Sequence, residues 1–222
     1  ASALAAACEG SAASIQTAER RERSERPPAL YDLTTLQREA NRALGYTAQQ
    51  TLDYLQALYE KKLCTYPRTD SRYLTDDMEN AVPMLVSAAA VICGVDAPGT
   101  VLASQVCSSK NVTDHHAVVP TKSAADADLA ALPQGEREIL RLVSLGLLRA
   151  VCPPHRYAET SLTAECGGHR FTAKGKAVLD MGWRVYAAPS KDAPLPDGLA
   201  EGQSLTVDAV QVKEGKTTPP KH

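Results

Sequence analysis

No stretch of this 222-residue sequence approaches the run of about 18 apolar residues that a membrane-spanning helix needs. The opening residues 1–7 are small and apolar but carry no basic region, so they do not read as a secretory signal. Positive charge is not in excess either: 24 lysines and arginines stand against 26 aspartates and glutamates, a formal net charge of −2. A dedicated duplex-DNA binder is ordinarily basic, so any contact with nucleic acid must come from a local patch. None of the six cysteines (Cys8, Cys64, Cys93, Cys107, Cys152, Cys166) stands in a CxxC spacing. A zinc site is therefore not expected; free, mostly buried thiols of a cytosolic protein are. No carboxylate cluster has the look of a metal site. Asp76 and Asp77 suit a helix N-terminus, and Asp126 and Asp128 suit a solvated loop. Internal repeats are missing too.

What is there is the composition of one or two globular domains, 44% hydrophobic and 23% charged, over a length that can bury a real core. Residues 1–17 read as the tail of a helix or strand. Residues 19–26 alternate in sign of charge, as on a solvated face or an edge strand, and Pro27-Pro28 then stops any helix. Thr34 with Gln37 has capping-box spacing, followed by an apolar face of Leu36, Ala40, Ala43 and Leu44 and by Gly45 as a C-terminal stop. Thr47 and Gln50 repeat the signal, and Leu52, Leu55, Leu58 and Tyr59 form a second face that ends near Lys62. Thr75, with Asp76 and Asp77 behind it, opens a third helix running to about residue 90. Residues 94–128 read as irregular. A fourth helix fits residues 134–151, with Ile139, Leu140, Val143, Leu147 and Val151 on one side, and Pro153-Pro154 ends it.

The period then falls to two. Residues 157–165 alternate as a strand, Gly167-Gly168 makes a hairpin turn into Arg170-Phe171-Thr172, and residues 204–212 alternate again. The class implied is α+β, with helices in the middle, strands in the C-terminal third and a proline pair at each joint. The chain lacks a starting Met and closes on the loop-like Thr217-Thr218-Pro219-Pro220-Lys221-His222, so a piece of something larger is expected.

The chemistry concentrates around Tyr66. Pro67 forbids helix and biases Tyr66 to an extended backbone. Tyr66, Arg68, Asp70 and Arg72 occupy alternate positions, so in an extended segment they share one face. A phenol then stands beside a guanidinium that a carboxylate can brace. A tyrosine of ordinary pKa, about 10, is a poor nucleophile at neutral pH. A neighbouring cation that also grips a phosphate favours the phenolate and stabilises charge on the phosphoryl group. Arginine suits this because its planar fork matches phosphate oxygens. Spacing alone leaves the alternative open: an exposed strand carrying a local ion pair.

The segment Thr65-Tyr66-Pro67-Arg68-Thr69-Asp70-Ser71-Arg72-Tyr73-Leu74 resembles the active-site segment of type IA DNA topoisomerases, especially the bacterial topoisomerase III branch. The lead-in agrees, through Thr35-Leu36-Gln37-Arg38-Glu39-Ala40, Leu44-Gly45, Thr47-Ala48, Thr51 and Leu58-Tyr59-Glu60. So do Asp114-His115-His116-Ala117-Val118-Val119-Pro120-Thr121, Phe171-Thr172-Ala173-Lys174-Gly175, Gly182-Trp183 and Lys216-Thr217-Thr218-Pro219-Pro220. These segments stand in the family's order over residues 27–222; residues 94–111 have no counterpart.

By this resemblance Tyr66 matches the nucleophile that attacks a phosphodiester and becomes linked to the 5′ phosphate. Arg68 matches the arginine that holds the scissile phosphate, and Asp70 an acidic residue that positions Arg68 or the surrounding network. His115 matches a histidine near the DNA backbone and the reacting centre. Ser71, Arg72 and His116 are further candidates for DNA contact. The implied activity is cleavage of one DNA strand through a phosphotyrosine, passage of another strand, and resealing without ATP.

The implied architecture is a helical tyrosine-bearing domain, residues 29–153, inserted into a strand-rich arch formed by residues 1–28 and 154–222. Magnesium is implied for the full-length parent, bound by a domain outside this segment, with no metal held by the segment itself, which is expected to be inactive alone. Single-stranded DNA and the rest of the parent chain are the implied partners, with no membrane, in a monomeric, cytoplasmic, nucleoid-associated bacterial enzyme. The rival from another class is a helical module that binds single-stranded nucleic acid without chemistry. A tyrosine recombinase fits less well, because its arginine and histidine set is missing and its tyrosine comes late. A purely structural arch that docks the other domains is the third reading.

Overall fold

The computed structural model describes residues 1–189 and 193–215. The terminal segment from Lys216, one of the family-like stretches, lies outside the described residues. The chain divides into two compact units. One comprises Ser24–His155 and Asp180–Pro189; the other comprises Ala1–Arg23, Arg156–Leu179 and Ser190–His222.

The first of these units is helical. Helix α2 spans Leu33–Leu44. Its cap is not the expected Thr34 with Gln37 but Asp32 with Thr35. The Asp32 carboxylate accepts from the Thr35 N–H at 2.6 Å, and the Thr35 hydroxyl accepts from the Asp32 N–H at 3.1 Å. Gln37 is thereby free to donate to the Ala48 carbonyl, 3.0 Å away. A charged cap so close to the backbone donors outcompetes the hydroxyl two residues on. Asp32→Ala is expected to cost about 1 kcal/mol, a fall of about 2–4 °C in a thermal melt of the chain, and Asp32→Asn to recover most of it.

Helix α3 is Ala48–Glu60, opened by the expected Thr47 and Gln50 capping box. Leu55 and Leu58 bury completely on its inner side. The chain leaves α3 through Lys62, whose φ of 61° is in the left-handed region. There its carbonyl accepts from the hydroxyls of Thr121 and Ser123, at 2.6 and 3.2 Å.

The expected third helix is two elements. A 3-10 turn covers Asp76–Ala81, and α4 runs Val82–Cys93, beyond the expected end. Thr75 makes no side-chain cap; the Ser109 hydroxyl takes the Asp76 N–H at 2.8 Å instead. Pro83 lacks an N–H and has a fixed φ, so it suits the first turn of α4 and a fresh helix starts there. Residues 94–128 are irregular apart from short 3-10 turns at Ala103–Val106, Ser109–Asn111 and Lys122–Asp126.

Helix α5, Gln134–Ala150, organises this unit. Leu147 and Leu148 face a cluster with Val82, Val86 and Ala89 of α4, while Ile139, Leu140 and Val143 face Leu36, Leu55 and Leu58 of α2 and α3. Gly135 and Gly146 allow this closeness: a Cβ on either would stand 2.4 Å from a carbon of the Tyr54 or Tyr31 ring. After Pro153 the chain is tied down by the Gly182–Tyr186 turn. There the Trp183 N–H donates to the Pro153 carbonyl, and its indole to the Glu25 carbonyl at 3.2 Å.

The other unit contains α1 (Ser2–Cys8) and strands β1 (Ala12–Glu25), β2 (His155–Cys166), β3 (His169–Asp180) and β4 (Ser204–Thr206), in the sheet order β3-β2-β1-β4. Residues 1–17 thus supply both a helix and the start of a strand. Gly167 and Gly168, with φ of 57° and 74°, make the hairpin turn between β2 and β3. Strand β4 is shorter than the expected 204–212. It pairs antiparallel with residues 12–14 (Ala12↔Thr206 through Ser14↔Ser204), and past that ladder the backbone of Val207 bonds to Gly10 and Ser11, which precede β1. The charged part of β1 is exposed, and its ions pair across to β2, Glu22 with Arg156 and Arg23 with Glu159. Ile15, Leu162 and Ala164 form the small core beneath.

All six cysteines are free. Burial pushes Cys93 and Cys152 up to about 11, and Cys64 further still. At pH 8 a thiol of pKa 11 is thiolate in only about one molecule in a thousand. Iodoacetamide is expected to leave these three unmodified in the native chain and to label them after denaturation, read by mass spectrometry of their peptides.

No helix among the described residues is long and apolar enough to cross a membrane.

Candidate active site

The strip from Leu63 to Leu74 is extended but belongs to no regular strand, and three distant segments hold it. On one side lies the 115–121 segment: the Thr65 N–H donates to the Val119 carbonyl at 3.0 Å, Thr121 N–H to Leu63, and Ala117 N–H to Tyr73. Cys64 and Pro120 form a bridge there. The start of α2 lies against the strip's middle, where the Leu33 N–H donates to the Thr69 carbonyl at 3.1 Å. Toward its end, Leu74 pairs with residues 106–108.

Side chains alternate along the middle of the strip. Pro67, Thr69 and Ser71 are buried, while Arg68 and Asp70 are exposed and Tyr66 is half-buried. The Tyr66 ring stacks on His115, with centroids 4.2 Å apart and planes tilted by 38°. On another side it meets Tyr59 edge-on, at 5.4 Å and 84°. His115 also lines an open cleft of about 460 Å³ with Asp32, Thr34, Arg68, Asp70, Thr113 and Asp114. His115 therefore joins the phenol to the cleft that holds the guanidinium.

The expected bracing of Arg68 by Asp70 is absent: the Asp70 carboxylate accepts from the Thr113 hydroxyl at 3.2 Å. Among the described residues the Arg68 guanidinium has no hydrogen-bond or ion-pair partner. Two expected phosphate contacts are spent on structure. Ser71 is 4% exposed, and its hydroxyl donates to the carbonyls of Asn111 (3.0 Å) and Tyr73 (3.2 Å). Arg72 turns away from the cleft and donates to the Leu30 carbonyl at 3.0 Å and to that of Ala29 at 3.5 Å. Held by these two carbonyls, Arg72 is not among the residues that line the cleft with Arg68. His116 is half-buried, its Nδ1 donating to the Ala117 carbonyl at 2.8 Å, and its ring is not among those lining the cleft.

Two other tyrosines are unsuited to act as nucleophiles. Burial pushes Tyr31 up to about 12. Tyr46 is likewise raised to about 12, chiefly because its hydroxyl donates to Glu138. Sequence reading did not single out Tyr59 or Thr69. Tyr59 counted as part of an apolar helix face and of a family-like stretch, and Thr69 as part of the family-like strip, but neither was given a role at the site.

The described residues contain no group of three or more His, Cys, Asp or Glu set to hold a metal ion. Of the carboxylates that line the cleft with Arg68, Asp32 is engaged with Thr35 and Asp70 with Thr113. The described residues do not by themselves fit a magnesium site.

The sequence profile of the DNA topoisomerase family matches residues 1–222. DNA topoisomerase 3 of Bacillus licheniformis is 38% identical over 232 aligned positions, covering 98% of this chain and 32% of the relative. DNA topoisomerase 3 of Bacillus subtilis (strain 168) is 37% identical, covering 87% of this chain and 28% of the relative. The chain thus spans about a third of the length of the curated relatives it matches. The solved structure of full-length topoisomerase I from Thermotoga maritima has the same fold over 93% of this chain and 34% of that one, with a TM-score of 0.69 at 22% identity. Matched along its whole length at this level of identity, the chain belongs to the DNA topoisomerase family, as a topoisomerase III-like segment of the type IA class.

Proposed function

We propose that this chain is the tyrosine-bearing part of a longer type IA topoisomerase and that Tyr66 is the residue that cuts the DNA. The single observation that carries the reading is that the Tyr66 ring stacks on His115, which lines one open cleft together with Arg68, a guanidinium with no partner among the described residues. In the reaction, the Tyr66 phenol oxygen attacks a phosphodiester phosphorus of single-stranded DNA. A tyrosyl–phosphate bond forms, the bond to the 3′ oxygen breaks, and the proton lost by the phenol ends on the 3′ hydroxyl. The phosphodiester's energy is kept in the phosphotyrosine, so the 3′ hydroxyl can attack back without ATP. Arg68 grips the non-bridging oxygens through its planar fork and stabilises the charge that builds on them. His115 holds the phenol ring and faces the same phosphate. Asp70 fixes the His115 loop through Thr113.

Residues 29–153 act in this reading as a helical domain inserted into an arch built from residues 1–28 and 154–222. Between cleavage and resealing the arch moves to let a strand pass. The magnesium expected of the family is held by residues outside this chain. The partners are single-stranded DNA and the remaining domains of a monomeric, nucleoid-associated bacterial enzyme.

The test uses the full-length parent with magnesium and 3′-labelled single-stranded DNA. Denaturation should leave label on the wild-type protein and none on Tyr66→Phe. DNA binding with no adduct in either protein would favour the helical binding module without chemistry.

A further inference from the structure

Thr69 sits in the middle of the strip, yet its side chain faces inward and is 7% exposed. A threonine hydroxyl there could be a passive core group. Its bonds are of another kind. The Thr69 hydroxyl donates to the His115 carbonyl at 2.7 Å and accepts from the Ser71 N–H at 3.0 Å. The Thr69 carbonyl accepts from the Leu33 N–H at 3.1 Å. One residue thus joins the strip, the His115 loop and the first turn of α2, the three segments that line the cleft.

The His115 loop has little else to hold it. Within residues 113–116 the other hydrogen bonds among the described residues are the exposed one from Thr113 to Asp70 and the His116 contact with its own neighbour. Among the described residues the 2.7 Å bond is the only one made by His115's own backbone. It therefore sets how the imidazole lies on the Tyr66 ring.

We infer that Thr69 is a positioning residue for strand cleavage: its hydroxyl fixes His115 against Tyr66 and acts only through that histidine. The inference rests on the reading of Tyr66 as nucleophile. A threonine hydroxyl both donates and accepts, which is what the carbonyl of His115 and the N–H of Ser71 require of one small group. Valine has the same shape and neither capacity, so it frees the loop and leaves both backbone groups unpaired. Serine keeps both bonds. Displacing a group near the reacting atoms by about 1 Å is enough for a loss of roughly 100-fold.

The experiment is a double-mutant cycle on the full-length enzyme, reading single-turnover adduct formation on a 3′-labelled single strand. Thr69→Val is expected to slow the step by about 10- to 100-fold with little change in oligonucleotide affinity, and Thr69→Ser to restore it. In a His115→Ala background Thr69→Val should cost little more, because its route of action is already gone. If its cost is the same with and without His115, or if it changes only the melting temperature, the inference is overturned. Should valine prevent folding, Thr69→Ala carries the same cycle with less crowding. Tyr66→Phe runs alongside: an adduct surviving there sinks the nucleophile assignment, whereas normal cleavage by Thr69→Val with none by Tyr66→Phe sinks only the role of Thr69.

Discussion

Replacing Tyr66 by phenylalanine is expected to reduce covalent DNA adduct by about 10⁴-fold or more, while leaving the fold as stable as before. The two halves of that expectation have separate causes. The ring is held by His115 at 4.2 Å and by Tyr59 at 5.4 Å, and phenylalanine keeps both contacts. The Tyr66 hydroxyl has no hydrogen-bond partner among the described residues, so its loss orphans nothing. A change of this kind costs within about 0.5 kcal/mol. Activity falls because the attacking oxygen is gone and no neighbour replaces it. Tyr31 is held near 12 by burial, and it is the Tyr66 ring, not that of Tyr59, that stacks on His115 at the edge of the Arg68 cleft. Equal melting temperatures with adduct only in the wild type would separate a chemical defect from a folding one. An adduct of undiminished yield in the phenylalanine variant would move the nucleophile elsewhere.

The helices were legible where periodicity and capping agree. Helix α3 starts at the expected capping box, and α5 covers the expected span with its apolar residues inward. Legibility failed where two local signals compete. Asp32 outbids Thr34 for the backbone donors of α2, and Pro83 restarts a helix that Thr75 was expected to open. Both are differences of a few residues, decided by which side chain reaches a free N–H.

The site was legible in part. Alternation along the strip puts Arg68 and Asp70 on the exposed side, where a period of two requires them. It misplaces Arg72, because carbonyls at residues 29 and 30 offer that guanidinium a partner that a local pattern cannot show. The same reason hides Thr69. Its bond to His115 spans 46 residues, and no spacing rule links the two positions. Asp70 reads from the sequence as a partner of Arg68, yet a hydroxyl 43 residues on claims it. The consequence is chemical: among the described residues nothing occupies the donors of Arg68.

That freedom shapes the second large effect. Arg68→Ala is expected to slow adduct formation by about 10²–10³-fold, the usual loss when one donor to a developing oxyanion is removed. The melting temperature should stay put, because the guanidinium is exposed and has no partner among the described residues to lose. Arg68→Lys keeps the charge without the planar fork, so it should fall between alanine and wild type. Salt gives an independent reading. A side chain that grips one phosphate of a single strand contributes about 0.7 to the slope of log affinity against log salt. Arg68→Ala should lose that increment in an oligonucleotide titration of the full-length enzyme, and Arg68→Lys should keep it. A slow alanine variant with an unchanged slope would mean that Arg68 acts on the phenol rather than on the phosphate. A fast one would remove it from the mechanism and leave His115, stacked on the Tyr66 ring, as the candidate for stabilising the phosphate.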